Sequence, residues 1–333
     1  MSTASRKISL AAQDHWLGIV ARTALRARLT TLGGIITARD LRAIGISSRD
    51  TARLVREGSL RRVQRGAYVE GSLLDAAGLD ERRLLEARAC VRSLMTDPPS
   101  VVAGQQTALA IHRLPVWPVD RTTHVVRVGA GRSHGWSGVR VHRSFGPSSW
   151  AMYDGVPALD PAFAVVSTAV WHGTESGLVA CDAALHQQLV GFAELRRIVD
   201  ANPKRPGINH ARRMLELTDP AAESPGETRT RLVLLGMGLR FVSQPGIPTR
   251  IGQFFPDFAL PDVGILIEFD GAVKYRKDGS TAVVDEKARE DALREQGWLV
   301  IRVIWSDLAD PERLSRRIRE AIRQRRSWAQ MPA

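Results

Sequence analysis

Along residues 15–30 the apolar side chains Trp16, Ile19, Val20 and Leu25 recur at helical spacing among arginines, which predicts an amphipathic helix. Two more helices are signalled by hydroxyl residues with an acid three positions later, Thr37 with Asp40 and Ser47 with Asp50. That spacing is close to a capping box. Gly45 supplies the turn between them and Gly58 ends the second. The stretch Leu60 to Val69 then alternates and turns like a small β-wing. Together these segments predict a winged helix-turn-helix over residues 1–80.

From 81 to 220 the pattern is that of a small α/β unit. A helix is expected around Glu81–Met95, another starting within Val101–His112, and strands at His124–Val128 and Gly138–His142. Asp160 and Pro161 precede an apolar helix through Ala162–Ala169, and Pro203, Pro206, Gly207, Pro220 and Pro225 punctuate the approach to the last region. There Ser224, Pro225, Gly226 and Glu227 cap a helix that Gly236 and Gly238 stop. A strand at Phe254–Leu260, a second at Gly264–Asp270, a helix over Glu286–Gln296, a strand at Trp298–Val303 and a basic helix from Pro311 to Arg326 follow. The succession α-β-β-α-β is that of a restriction-endonuclease-like core. The expected fold is therefore α+β and multidomain, with a winged helix-turn-helix at 1–80, a middle α/β unit at 81–220 and a nuclease-like core at 221–333.

Composition narrows the setting. The opening Met1 to Lys7 lacks the apolar core of a signal peptide and no apolar run spans a bilayer, so a cytoplasmic protein without a membrane partner is expected. Only Cys90 and Cys181 are present, far apart, which argues against a disulfide framework or a zinc finger and for two buried thiols. The net charge of +12 is uneven: residues 1–150 hold 23 basic and 11 acidic side chains, residues 151–333 hold 24 of each. A surplus confined to one half points to a polyanion partner there, and duplex DNA is the one expected. Arg49, Arg53 and Arg56 stand at i, i+4 and i+7 on the second helix, opposite Leu54 and Val55, while Arg61, Arg62 and Arg65 can reach phosphates from the wing. The alternative is a protein-interaction module whose arginines form a solvated face. His112, His124, His134 and His142 are scattered and read as core or surface histidines ahead of a metal site.

The C-terminal third carries the chemistry. Asp257 lies in Phe-Phe-Pro-Asp-Phe, and Glu268, eleven residues later, in Ile-Leu-Ile-Glu-Phe-Asp-Gly. Ionised carboxylates on apolar strands are costly unless compensated, and a divalent cation compensates them. Hard oxygen ligands suit Mg²⁺, with Mn²⁺ as substitute, and Glu227 is a candidate third or water-mediated ligand. Of five lysines, Lys274, Lys277 and Lys287 fall just after the acids. Lys274 and Lys287 are the candidates for the basic group that such a site uses to stabilise the phosphate.

Two family resemblances add to this reading. The span Thr37 to Tyr68, above all the ending Leu60-Arg61-Arg62-Val63-Gln64-Arg65-Gly66-Ala67-Tyr68, resembles the N-terminal domain of AbiEi-type antitoxins. The resemblance implies a DNA-binding repressor and a toxin partner. Segment 223–308 resembles PD-(D/E)xK proteins related to the very-short-patch-repair endonucleases. It does so through Ser224-Pro225-Gly226-Glu227, Pro256-Asp257-Phe258, Ile267 to Gly271, Lys274-Tyr275, Glu286 to Asp291 and Gly297-Trp298. This implies Asp257 and Glu268 as metal-binding acids, Glu227 as the helix acid and Lys274 or Lys287 as the basic group. The signature places lysine two positions after the second acid, where this chain has Asp270. The expected function is a Mg²⁺-dependent DNA endonuclease, and the alternative an antitoxin-type transcriptional regulator with a vestigial nuclease core. A structural α/β protein with solvated charges leaves the clustering of acids and lysines unexplained.

Overall fold

A computed structural model describes residues 16–129, 131–136, 138–144, 149–271 and 280–329. The described residues form a mixed α+β structure that divides into two compact units. One holds residues up to 180 together with 190–215, and the other holds 181–189 and 216 onward. The segments 1–80 and 81–220 are read separately from the sequence; the first unit holds 1–80 together with 81–180 and 190–215.

The first unit begins with α1 (Ile19–Thr31), β1 (Ile35–Thr37), α2 (Ala38–Ala43), α3 (Ser48–Arg56), β2 (Leu60–Gln64) and β3 (Ala67–Glu70). Both expected capping boxes are present: Thr37 and Ser47 accept from the backbone N–H of Asp40 and Asp50, whose carboxylates accept from the cap residues. Gly45, at φ +80, turns α2 into α3, and β1, β3 and β2 form one antiparallel sheet in that order. Helix, turn, helix and hairpin follow as expected. Leu25, Leu29, Ile36, Leu41, Ile46, Leu54 and Leu60 are fully buried between these elements.

The chain continues through α4 (Gly71–Ala76), α5 (Leu79–Leu94), β4 (Val101–Ala103), α6 (Gln105–Ile111), β5 (Thr123–Arg127), β6 (His134–Trp136), β7 (Val139–His142), β8 (Trp150–Tyr153) and β9 (Val156–Leu159). Six strands make a mixed sheet ordered β6-β7-β5-β4-β9-β8. Helix α5 explains why no boundary falls at residue 80. Its Leu85, Ala89 and Cys90 pack with Ile35, Ala67 and Val69 of the small sheet, while Arg92 reaches Asp40 at 3.0 Å. Helices α7 (Pro161–His172), α8 (Thr174–His186), α9 (Phe192–Asp200) and α10 (Ile208–Leu217) follow.

The second unit contains α11 (Pro225–Gly236), β10 (Val242–Ser243), β11 (Ile247–Thr249), β12 (Gly252–Phe254), β13 (Phe258–Leu260), β14 (Ile265–Phe269), α12 (Ser280–Glu295), β15 (Leu299–Val303), α13 (Trp305–Leu308) and α14 (Pro311–Ala329). The sheet order is β10-β13-β14-β15, with β13 antiparallel and β15 parallel to β14. The single strand expected over Phe254–Leu260 is in fact two. Pro256, which has no N–H for a ladder, separates β12 from β13, and Asp257 sits just before β13. Phe258, Ile265, Ile267 and Val303 of the sheet pack against Leu234 of α11 and Leu314 and Ile318 of α14. Cys90 and Cys181 are both buried and unbridged. Burial pushes the Cys90 thiol up to about 11 and the Cys181 thiol up to about 12. No helix among the described residues is long and apolar enough to cross a membrane.

Candidate functional site

Helix α3 is fixed on both sides of its exposed face. At its start, the hydroxyl of Ser47 satisfies the Asp50 N–H, and Leu54 anchors the buried side. The preceding helix is held through Asp40. Burial would raise that carboxyl, but hydrogen bonds from Arg92, Arg28 and Thr37 outweigh burial and hold it well below the usual carboxylate range. Of the six arginines read as DNA contacts, Arg49 and Arg56 on α3 and Arg62 and Arg65 on the hairpin are exposed and make no ion pair among the described residues. The other two are engaged. Arg53 is half-buried, pairs with Glu57 at 2.8 Å and lies over the Trp16 ring, and Arg61 pairs with Asp75 at 2.8 Å. A hollow of about 330 Å³ between α2, α3 and β2 is lined by Arg42, Ser48, Ala52, Arg62 and Tyr68.

The acidic residues are gathered by a close approach of α11 to β14. A Cβ at Gly226 would lie 2.0 Å from the Phe269 ring, so only glycine lets the first turn of α11 sit there. Ser224 caps that turn, Pro225 takes the first position where no N–H is needed, and Glu227 is carried into a buried place. Across the sheet, Phe258 pairs with Ile267, so one step further along this antiparallel ladder Asp257 faces Glu268. Asp257 accepts the Phe269 N–H at 2.6 Å. Burial pushes its carboxyl up to about 7; the Phe269 hydrogen bond opposes this, while the charges of Glu227, Glu268 and Glu223 add to it.

The donor set is all oxygen, and Glu268 Oε1 is buried without a hydrogen-bond partner among the described residues. An orphaned carboxylate oxygen beside a carboxyl raised by like charges is what a bound cation would relieve. Asp257 and Glu268 are the oxygen donors here that could hold a Mg²⁺ ion completed by waters. Glu227 fits less well as a ligand. Its Oε2 accepts the Glu223 N–H at 2.9 Å and Gln244 Nε2 at 3.3 Å, and no three acids, histidines or cysteines among the described residues group closely enough to hold an ion.

Lys274 lies outside the described residues. Lys287 is on α12, but it is Arg289 from that helix whose guanidinium reaches Glu268, at 2.9 Å. The Lys287 side chain lies outside the described residues. A signature that calls for lysine gives no weight to Arg289, although it belongs to the same Glu286 to Asp291 run.

In the first unit the sheet brings together histidines that look scattered in the sequence. His124 Nδ1 and His142 Nε2 are 2.9 Å apart, His124 Nε2 is 3.1 Å from Asp120, and the His172 ring stands edge-on to His124. Burial, then neighbouring His124, His172, Arg140 and Arg205, lowers His142 to about 3, and burial and His124 lower His172 to about 4. His112 instead bonds the Leu159 carbonyl at 2.7 Å, and His134 is exposed on β6. In the pairing of β5 with β7, His124 stands opposite Arg140 and His142 two positions further along the same face, a register that residue spacing alone does not disclose.

Residues 25–71 match the family described as transcriptional regulator, AbiEi antitoxin. Two Mycobacterium tuberculosis proteins, the uncharacterized proteins MT2308 and Rv2248 from two strains, are each 30% identical to this chain over 184 residues. That alignment covers 54% of this chain and 67% of each relative. The crystal structure of the RV2827C protein from Mycobacterium tuberculosis superposes with a TM-score of 0.36 at 16% identity, covering 64% of this chain and 80% of the other.

Proposed function

Since this chain belongs to one family with the Mycobacterium tuberculosis proteins MT2308 and Rv2248, and its residues 25–71 match the AbiEi regulator family, we propose that it is a transcriptional regulator that binds duplex DNA through α3 and the β2–β3 hairpin. The carrying observation is that the matched span coincides with the helix-turn-helix and the first hairpin, where Arg49, Arg56, Arg62 and Arg65 are exposed. Phosphate contacts from these arginines would set affinity and its salt dependence, and side chains near the start of α3 would meet base edges. A toxin partner belongs to the same reading. Fluorescence anisotropy on duplex fragments from the chain's own upstream region tests it. Specific, salt-sensitive binding that Arg56→Ala weakens is expected, and binding equal to that on random duplex would reject it.

A second reading is favoured by the Asp257–Glu268 pair: Mg²⁺-dependent phosphodiester hydrolysis by the second unit as a PD-(D/E)xK-type core. Asp257 and Glu268 would hold the ion, which would supply charge neutralisation on a phosphate and an activated water. Arg289, Lys274 or Lys287 would provide the cation opposite the phosphate, in place of the residue that Asp270 replaces. Nicking of supercoiled plasmid with Mg²⁺ or Mn²⁺, abolished in Asp257→Ala, is the expected result. No nicking with either metal leaves the core as a non-catalytic scaffold.

A further inference from the structure

The first unit contains a second, larger hollow, of about 550 Å³, between strand β2, helix α5 and the turn that precedes β5. That volume is in the range of small-molecule sites. Five arginines line it, Arg61 and Arg62 from β2, Arg82 and Arg83 from α5 and Arg121 from the turn, against two carboxylates, Glu86 and Asp120. Arg61 and Arg83 also pair with acids outside the hollow, Asp75 at 2.8 Å and Asp80 at 3.3 Å, and Arg82 donates to the Leu74 carbonyl at 2.9 Å. The side chains of Arg62 and Arg121 are exposed and donate no hydrogen bond among the described residues. Glu86 is half-buried, and although Arg82, Arg121 and Arg83 pull its carboxyl down, burial raises it overall.

Exposed apolar side chains stand among these charges. Leu79 is 69% and Val119 50% exposed, and both line the hollow. Guanidinium groups and uncovered aliphatic side chains lining one hollow are complementary to a molecule with an anionic head and an apolar body.

The hollow is also tied to the proposed DNA face. Strand β2 slips register between Arg62 and Gln64, an irregularity of the bulge type that re-aims side chains. Arg62 there lines both this hollow and the smaller one beside α3. One side chain thus borders two anion-seeking surfaces.

We propose that this hollow binds a small organic anion, a phosphate or carboxylate on an apolar body, and that its occupancy withdraws Arg62 from the DNA-facing set. The binding site stands on its own geometry; the second clause rests on the DNA-binding reading above.

Calorimetric titration of the full chain with naphthyl phosphate, naphthoate and uncharged naphthol tests the site. One-site saturable binding of at least one anion is expected, the stronger of the two identifying the head group, with naphthol weaker by about tenfold or more. Arg121→Ala, at an exposed position, is expected to weaken the anion about tenfold without lowering Tm, and Val119→Glu to weaken it further through like charge. Saturation by neither anion, or affinity unchanged in both variants, overturns the site. Saturating anion is expected to weaken duplex binding several-fold in the wild type and not in Arg62→Ala; an anion that binds without changing DNA affinity overturns the coupling. A chain that binds no duplex under any condition overturns the regulator reading and the coupling together, while the calorimetry still decides the site.

Discussion

The guanidinium carbon of Arg53 lies 4.2 Å from the centre of the Trp16 ring, and both side chains converge on Glu57, Arg53 Nε at 2.8 Å and Trp16 Nε1 at 2.7 Å. This clamp ties the segment ahead of α1 to the end of α3. Arg53 is therefore a structural member of a helix that also presents Arg49 and Arg56.

For that reason Arg53→Ala and Arg56→Ala are expected to differ in kind. Loss of the stacked cation and its ion pair in Arg53→Ala is expected to cost about 1 kcal/mol of stability, seen as a lower urea midpoint. Arg56→Ala leaves stability unchanged and reduces the slope of log affinity against log salt by about one. Equal salt slopes in both variants and wild type would remove Arg56 from the DNA contact set.

Asp257 gives a pH-dependent prediction. Its folded carboxyl is raised to about 7 from an ordinary value of 3.8, so the folded state binds the proton more tightly. Its contribution to stability is fully present below about pH 4 and is lost as pH rises through 7. Asp257→Asn keeps an acceptor for the Phe269 N–H and is expected to raise Tm at pH 8 but not at pH 4. Millimolar Mg²⁺ is expected to raise wild-type Tm at pH 8 and to have no effect on the variant. A wild-type Tm indifferent to Mg²⁺ counts against a metal at this pair.

The histidine group gives a prediction of opposite sign. His142 and His172 are lowered to about 3 and about 4 from 6.5, so the unfolded chain takes up protons first as pH falls. Stability is present above pH 6.5 and declines toward pH 3, with each 1 kcal/mol costing about 2–4 °C in Tm for a unit of this size. Replacing His142 by Gln, which does not titrate, is expected to flatten that decline. A decline just as steep in His142→Gln would assign the acid sensitivity to other groups.

In the second unit, Arg231 of α11 is bonded to Asp182, which also accepts from Thr228 Oγ1 at 2.8 Å and the Asp219 N–H at 2.9 Å. Asp182 and Arg231 are both almost fully buried. Asp182→Ala removes the buried acid opposite this guanidinium, leaving it the Leu217 carbonyl and Asp219 at 3.9 Å, and is expected to cost about 3 kcal/mol. Chemical denaturation followed by intrinsic fluorescence measures this, and a loss under 1 kcal/mol would show that Asp219 and the Leu217 carbonyl suffice to hold Arg231.

What could be read in the sequence was local. The two capping boxes, the hairpin after Gly58 and the Ser224-Pro225 helix start were legible because a cap is written within four residues. The facing of Asp257 and Glu268 was partly legible, since two short strands flank a Pro261-Asp262 turn. The Arg289–Glu268 pair, the His124–His142 contact and the packing of α5 across the expected boundary were not, because each depends on sheet register or on which face a helix turns to its neighbour. The sequence order also favoured the nuclease as the leading reading. The family match over residues 25–71 shifts the weight to the regulator, since the acids say what the second unit could bind and not whether it cuts.

The space at Gly226 has a consequence for how this protein can drift. A side chain there would strike Phe269 and lever the start of α11, with Glu227, away from Asp257. A lineage that keeps the acidic group is confined to glycine at this position, whereas one that abandons it is released from the constraint while Ser224 and Pro225 still start the helix. Among relatives, residues 226 and 227 should therefore be surrendered together, leaving a record of which copies still have a use for the pair behind them.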